Sequence, residues 1–449
     1  MVPTISDALA RVKDELPRWI EHHVLSYLAE HPECGPRQRL LDPLTTVLLF
    51  ITQIMHGNTA IHHLRHLSGL AFTATAYCKA RMRLPLALLR AISDGVTRQL
   101  LPEADVECRW RGHRVWRSDG TSFSMPDTPE LQAHFGQPSG QQPGCGFPVA
   151  SLLVLCNKAG FIVKTLAAPL RTHDASQIAK VHDQLEAGDV LVYDRAGCSY
   201  AHLALIRERN LHAIFHMHQK QIVSFRPWRK HKAQFRKGQR AGKPSSQWLQ
   251  RLGKQDQLVR WFKPKDKPEW MSQEQYDALP DSIIVRELRY HTNRKGFRTK
   301  VVTLVTTLLD PQEYPARELA DQYLGRWQIE VNFRHLKTTM GMEVLKCKTV
   351  KGVLKELAVF VLVYNLVRLV MLRAAQRQKV PLERISFVDA LRWLRDARDA
   401  KAVFNLIVNP LRPDRVEPRV IKRRMKEYPL MTRPREELRQ MLLSGRLTS

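Results

Sequence analysis

A change of rhythm near residue 114 constrains this 449-residue chain more than any other feature. Ahead of it, apolar residues recur at helical spacing, most regularly in Leu40–Met55 and in Leu84–Leu101, which Pro85 opens. Beyond it come short apolar runs of strand length: Arg114–Ser118, Val149–Cys156 (VASLLVLC), Phe161–Ala167, Asp189–Tyr193 (DVLVY) and His212–His216. Asn157-Lys158-Ala159-Gly160 turns the second run back into the third. Ala175–Leu185 and Tyr200–Arg209, between the later runs, read as helices. Hairpin-linked strands followed by alternating helices and strands make a mixed sheet with helices on its faces.

The order β-β-β-α-β-α-β is that of a ribonuclease H-like core, so the predicted fold class is mixed α/β (α+β). The chain divides into an N-terminal helical unit (1–105), the ribonuclease H-like domain (106–376) and a C-terminal helical, basic region (377–449). An inserted β-rich region at about 217–310 holds a hairpin of Ile283–Tyr290 and Thr299–Leu308, turning at Asn293–Gly296. A loop rich in Gly and Pro, Gly120–Pro148, separates the first two strands, and loops of that length are functional or disordered. Helices follow at Ala316–Thr338 and at Val353–Gln376. The latter contains the most apolar run, Leu357–Leu372. Its 16 residues, with Asn365 and Arg368 among them, suit a buried core helix better than a membrane span.

Hydrophobic residues make up 44% of the chain, enough for a real core. Lys and Arg total 71 against 43 Asp and Glu, a formal charge of +28. That excess points to a polyanionic partner, with nucleic acid ahead of a membrane surface. Lys220–Lys267 concentrates it: fifteen Lys or Arg stand against Asp256 and Asp266, with Trp228, Phe235, Trp248, Trp261 and Phe262 interleaved. Lys230, Lys232, Arg236, Lys237 and Arg240 are the candidate DNA contacts in this tract. The bases of an unpaired strand could stack on its aromatics, and the other reading is a solvated loop with a few core aromatics. The seven cysteines form no CxxC pair, so neither a zinc site nor a disulfide framework is expected, and the compartment reads as reducing and cytoplasmic. The first residues show no signal-peptide pattern. His134, His173, His216 and His218 lack metal-binding spacing and read as structural.

Asp119 closes the first strand and Asp194 the fourth, and in such a sheet these strands are neighbours. Glu330 arrives on the helix Ala316–Thr338. Three carboxylates at one point repel unless a cation joins them, and oxygen ligands suit Mg²⁺ or Mn²⁺. Two such ions clamp the attacking and leaving oxygens of an in-line phosphoryl displacement. On the helix, about 100° per residue puts Tyr323, Arg326, Glu330 and Lys337 within an arc of about 60°. Leu324, Ile329, Val331, Phe333 and Leu336 are left to pack on the sheet. Arg offers a bidentate fork, Lys a point charge and Tyr a hydroxyl donor to phosphate. Alone, the stripe is equally a solvated face with charge pairs, and either Asp alone is a turn or cap residue. Together with the stripe, the three carboxylates favour a site.

At these residues the sequence resembles the DDE transposases of bacterial insertion sequences, in the insertion-sequence-four type branch. The branch signature is Tyr, two residues, Arg, three residues, Glu, six residues, Lys, and Tyr323, Arg326, Glu330 and Lys337 match it without a gap. SDGT around Asp119 and GDVLVYDR around Asp194 look like the other two acidic motifs. YCKARMRLP (Tyr77–Pro85) and RRMKEYPLMTRPR (Arg423–Arg435) also resemble this branch. The resemblance implies a DNA transposase that binds terminal inverted repeats, cuts phosphodiester bonds and joins 3′-OH ends to target DNA. It implies two Mg²⁺ ions, with Mn²⁺ as substitute, on Asp119, Asp194 and Glu330, and DNA phosphates on Tyr323, Arg326 and Lys337. The N-terminal unit would bind DNA ends, the C-terminal region would serve dimerisation or DNA contact, and a homodimer would work on double-stranded DNA with no membrane. A metal-dependent nuclease without strand transfer and a non-catalytic DNA-binding remnant are the alternatives. Some relatives flip a base onto a Trp in the inserted region; Thr299–Leu308 has none, and Trp228, Trp248, Trp261 and Trp270 lie upstream, so no such Trp is assigned.

Overall fold

Strands that are apolar along their whole length need cover on both faces, and the computed structural model shows how it is supplied. It describes residues 5–34, 40–170, 172, 174–218, 221, 223–228, 246–291, 301–396, 406–411 and 431–446. The chain opens with α1 (Ile5–Glu30), α2 (Pro43–Met55), α3 (Ile61–Ser68), α4 (Ala74–Arg83), α5 (Leu86–Leu100) and α6 (Asp105–Cys108). Side-chain caps set the starts of α2 and α4. Asp42, followed by Pro43, accepts the Thr45 N–H at 2.6 Å, and Thr73 accepts the Ala76 N–H at 3.1 Å.

The strands are β1 (Arg109–Trp110), β2 (His113–Ser124), β3 (Val149–Asn157), β4 (Ile162–Pro169), β5 (Val190–Tyr193), β6 (His212–His216), β7 (Ser246–Gly253), β8 (Asp256–Phe262), β9 (Ser282–His291) and β10 (Val301–Thr306). They form one sheet in the order β4-β3-β2-β5-β6-β10-β9-β8-β7, with β1 on β2. β2, β3 and β4 are antiparallel neighbours, whereas β5 joins β2 and β6 joins β5 in parallel. α7 (Pro129–Phe135) lies between β2 and β3. The parallel pairs need crossovers, and α8 (Asp174–Val181) and α9 (Tyr200–Glu208) provide them. The five strands β4-β3-β2-β5-β6 are therefore in ribonuclease H-like order, the fold that the sequence predicts. The inserted strands continue the same sheet, because β10 pairs antiparallel with β6. α10 (Gln273–Ala278) lies between β8 and β9, and after β10 come α11 (Ala316–Leu324), α12 (Trp327–Arg334), α13 (Val350–Gln378), α14 (Phe387–Asp396) and α15 (Arg435–Leu443).

Successive residues of β5 serve opposite faces. Leu191 and Tyr193 pack with α8 and α9, while Val190 and Val192 pack with Leu319 and Tyr323 of α11. Over β2 to β4, a larger core joins Phe123, Leu152, Val154 and Phe161 to α1, α2, α5 and α13. α13 is the one helix among the described residues long and apolar enough to cross a membrane, and it is buried along most of its length. Its Asn365 holds both main-chain groups of Ile162, at 2.9 and 2.8 Å, and Thr97 Oγ1 at 3.0 Å. This is the core helix that the sequence predicts.

Several local expectations change. Asp119 does not close its strand, because the ladder with β3 continues from Trp116↔Asn157 to Ser124↔Val149. The expected loop Gly120–Pro148 is shorter as a result and holds α7, capped by Thr128. The expected helix Ala316–Thr338 is three pieces. α11 stops at Leu324, the Arg326 N–H bonds Tyr323 O at 3.0 Å three residues back, α12 ends at Arg334, and His335–Thr339 is a π-helical turn. Part of the basic tract is the hairpin β7–β8, in which Trp261 is a core residue whose indole N–H donates to Glu287 at 2.9 Å. Lys230, Lys232, Arg236, Lys237 and Arg240, the turn Asn293–Gly296, His173 and positions 423–430 of the C-terminal motif lie outside the described residues.

Candidate active site

Register brings the first two carboxylates together. Arg117 of β2 lies beside Val192 of β5 in a parallel ladder. Two residues further along each strand stand Asp119 and Asp194, and a period of two keeps both on the face covered by α11 and α12. Asp194 immediately follows β5 and caps the next turn, its Oδ1 accepting the Ala196 N–H at 2.9 Å. Asp119 Oδ1 accepts the Gly120 N–H at 2.9 Å.

α12 supplies the third carboxylate. Arg326 Nη1 pairs with Asp119 Oδ2, and Arg326 Nη2 lies 3.4 Å from Glu330 Oε1, one helical turn on. Asp119, Asp194, Arg326, Glu330, Arg334, Lys337 and Glu343 all line one cavity of about 530 Å³. Burial pushes the Asp119 carboxyl up to about 6; the Arg326 guanidinium opposes this, and the charges of Asp194 and Glu330 add to it. One guanidinium therefore does not satisfy this group of carboxylates. The Arg326 Nε is itself buried without a hydrogen-bond partner among the described residues.

Among the described residues no three His, Cys, Asp or Glu side chains form a ready metal cluster, and Arg326 stands between Asp119 and Glu330. The donors are nevertheless all carboxylate oxygens, with the charges of Asp194 and Glu330 adding to the burial that raises Asp119, and that chemistry fits a hard divalent cation. Tyr323 is the member of the predicted stripe that the cavity wall does not include. It is 8% exposed, packs in the core under the sheet, and its hydroxyl meets His216 Nδ1 at 3.0 Å. Lys337 does line the cavity, from the π-helical turn.

Residues 110–366, more than half of the chain, match the family model of the transposase DDE domain. The chain belongs to the DDE transposases. Transposase InsG for insertion sequence element IS4, from Escherichia coli (strain K12), is 27% identical to this transposase over 374 residues, 79% of this chain and 78% of that protein. Among solved structures, it is similar to the piggyBac transposase in a synaptic complex with hairpin DNA, at a TM-score of 0.42 and 9% identity over 87% of this chain and 79% of that one.

Two ionisable residues that line the cavity, Glu343 and Arg334, and two that lie beside it, Arg195 and His216, are absent from the sequence-level prediction as site residues. Glu343 reaches the cavity because Ser124 N donates to Glu343 O and Leu345 N donates to Ser124 O, both at 3.0 Å, which lays that segment beside the end of β2. No spacing rule reaches across the π turn to find it. Arg334 follows Glu330 by four residues and is legible in the helical pattern. Arg195 directly follows Asp194, and His216 ends a correctly placed strand, but their meeting depends on the tertiary fold.

Proposed function

We propose that this DDE transposase cuts DNA at the terminal inverted repeats of its own element and joins the freed 3′-OH ends to target DNA. It would act as a homodimer that holds two ends together. The observation that carries this reading is the convergence of Asp119, Asp194 and Glu330 in one cavity whose wall also bears Arg326, Arg334 and Lys337. The three carboxylates would hold two divalent ions, Mg²⁺ with Mn²⁺ as substitute. When bound, the ions supply Lewis-acid stabilisation of the attacking and leaving oxygens of an in-line displacement. The chain's own side chains bind and orient the DNA. Arg326 presents a bidentate fork to the phosphate, Lys337 a point charge and Tyr323 a hydroxyl donor, and together they align the phosphate with its nucleophile. Water is the nucleophile in cutting and the 3′-OH in joining, so one set of positioning groups serves both steps.

Charge supports roles for the flanking regions. No Asp or Glu occurs between Asp42 and Asp94, while Arg65, Lys79, Arg81, Arg83 and Arg90 do. α4 exposes Lys79, Met82 and Arg83, which suits residues 1–105 to holding DNA ends. Residues 377–449 are assigned to DNA or dimer contacts; within them, Arg435 pairs with Asp127 and lies 4.0 Å over the Phe147 ring. Lys230, Lys232, Arg236, Lys237 and Arg240 would add phosphate contacts, and the work would be done in the bacterial cytoplasm.

Asp194→Asn and Glu330→Gln should each bind end DNA in a gel shift and fail to nick it, and full cleavage by either variant would overturn the assignment. Wild-type protein given pre-cut ends should join them to plasmid DNA in Mg²⁺ but not in Ca²⁺, whose larger and less regular shell supports binding without aligning the nucleophile. Hydrolysed products alone would favour a metal-dependent nuclease without strand transfer. End binding with no cleavage by the wild type would favour a non-catalytic DNA-binding remnant.

A further inference from the structure

Beneath the cavity, side chains from three elements meet at one imidazole. His216 ends β6, Arg195 follows Asp194 in the turn after β5, and Tyr323 comes from the last turn of α11. The Tyr323 hydroxyl lies 3.0 Å from His216 Nδ1, and the two rings meet edge to face with centroids 5.4 Å apart. Arg195 closes on the same ring. Its Nη2 and Nε stand 3.3 and 3.4 Å from His216 Nε2, and its Nε stands 3.3 Å from Nδ1. The Arg326 guanidinium lies 5.7 Å from the centroid of the Tyr323 ring. His216 therefore links the turn that carries Asp194 to the junction that carries Arg326.

The chemistry of the donors assigns the proton. A guanidinium only donates. Arg195 faces Nε2 with both Nη2 and Nε but Nδ1 with Nε alone, so we place the lone pair on Nε2 and the imidazole proton on Nδ1, aimed at the phenol oxygen. The ring is neutral near pH 7, because burial pulls its pKa down to about 4 and the Arg195 and Arg326 charges act in the same direction. The phenol oxygen is thus an acceptor toward His216, and its own proton remains available to a second acceptor.

We infer that His216 is a positioning residue for the transposition reaction: gripped by Arg195, it holds Tyr323 with the phenol proton turned toward an anionic oxygen, that of a DNA phosphate. The inference rests on the phosphate role proposed for Tyr323 and adds the group that orients it. Supporting partners of this kind fix the geometry of the residues that touch substrate, and their loss costs rate more than affinity. An apolar residue at 216 would leave the buried phenol without its donor and the Arg195 guanidinium facing hydrocarbon.

The test uses the full chain with pre-cut end DNA, four variants and one double variant. His216→Leu should slow joining by about 10- to 100-fold, the range for loss of such supporting partners, with end affinity within about twofold of wild type. Asn carries its amide N–H near the position of Nδ1, whereas Gln carries its own nearer Nε2. His216→Asn should therefore recover most of the rate and His216→Gln should not. Tyr323→Phe should match the loss in His216→Leu, and the double variant should lose no more than either, because the pair acts as a unit. Joining by His216→Leu at the wild-type rate overturns the proposal. Equal rates for the Asn and Gln variants overturn it too, as does a double variant in which the two losses multiply. If Tyr323→Phe joins at full rate, the phosphate role of Tyr323 fails. If Tyr323→Phe is slow and His216→Leu is not, only the positioning by His216 fails.

Discussion

Asp119→Asn should make the metal-free transposase more stable, and the gain should grow with pH. The Asp119 carboxyl is held at about 6, against 3.8 for the ordinary group, first by burial and then by Asp194 and Glu330 acting against Arg326. The native state therefore binds this proton more tightly than the unfolded chain does. Stability linked to the group is fully present below the unfolded value and is lost as pH rises through the folded one. A shift of about two units, at roughly 1.4 kcal/mol each, makes the full effect about 3 kcal/mol. Asn is neutral at every pH and keeps an acceptor for the Gly120 N–H and for Arg326. Urea unfolding in EDTA should thus show a gain of about 1 kcal/mol at pH 4.5, rising to about 3 kcal/mol at pH 8. Saturating Mg²⁺ should reverse the order, since ligand binding stabilises only the protein that keeps its carboxylate. A gain that is equal at both pH values, or a loss at pH 8 in EDTA, would refute the reasoning. Either result would mean that Arg326 compensates the Asp119 charge fully.

Metal affinity, followed by calorimetry with Mn²⁺, should fall about tenfold per unit below pH 6, because Asp119 must lose its proton to act as a ligand; affinity constant down to pH 5 would exclude Asp119 from the ligand set. Lys337→Ala should lower the slope of log affinity against log salt by about one and slow cleavage more than it weakens binding, as expected for a lost phosphate contact that carries no sequence information. Unchanged slope and rate, measured at four salt concentrations, would remove Lys337 from the site. Gly325→Ala should cost about 1–3 kcal/mol in urea unfolding, because its Cβ would stand 2.4 Å from Nη2 of Arg117, a side chain only 6% exposed. Wild-type stability in that variant would show that Arg117 moves aside freely.

The strands of the ribonuclease H-like core were legible because burial on both faces writes them as unbroken apolar runs. His212–His216 is matched to the residue, and Val149–Asn157 to within one. β7 was not legible, for the opposite reason: SQWLQRLG is a half-buried edge strand whose polar residues look like a loop. The far half of β2 was missed because Asp119-Gly120-Thr121-Ser122 has the composition of a turn. Pairing with β3 holds it extended, and a partner strand some 30 residues away outweighs local preference.

The helical stripe is the more instructive case, since three of its four residues reach the cavity although the helix that was to align them is broken into three pieces. An angle of about 100° per residue assumes regular α-helix from Tyr323 to Lys337. At Gly325 and Arg326 the chain is tightened instead: Arg326 N bonds Tyr323 O, and Ile329 N bonds Arg326 O, each three residues back. Such a turn advances by about 120° per residue, so Tyr323 and Arg326, three residues apart, nearly eclipse: the Arg326 guanidinium lies 5.7 Å from the Tyr323 ring centroid, while the hydroxyl beneath meets His216. The π turn at His335–Thr339 is wider and advances less per residue, which offsets the tightening before the chain reaches Lys337. Arg326, Glu330 and Lys337 therefore keep one wall. The readable sign of this break is Gly325 itself. A glycine inside a helical pattern costs about 1 kcal/mol relative to alanine, and it persists where a neighbour comes too close for a Cβ. Here that neighbour is Arg117, two residues before Asp119 on the same strand. The register that brings Asp119 to Asp194 also sets Arg117 beneath the junction from which Arg326 reaches them.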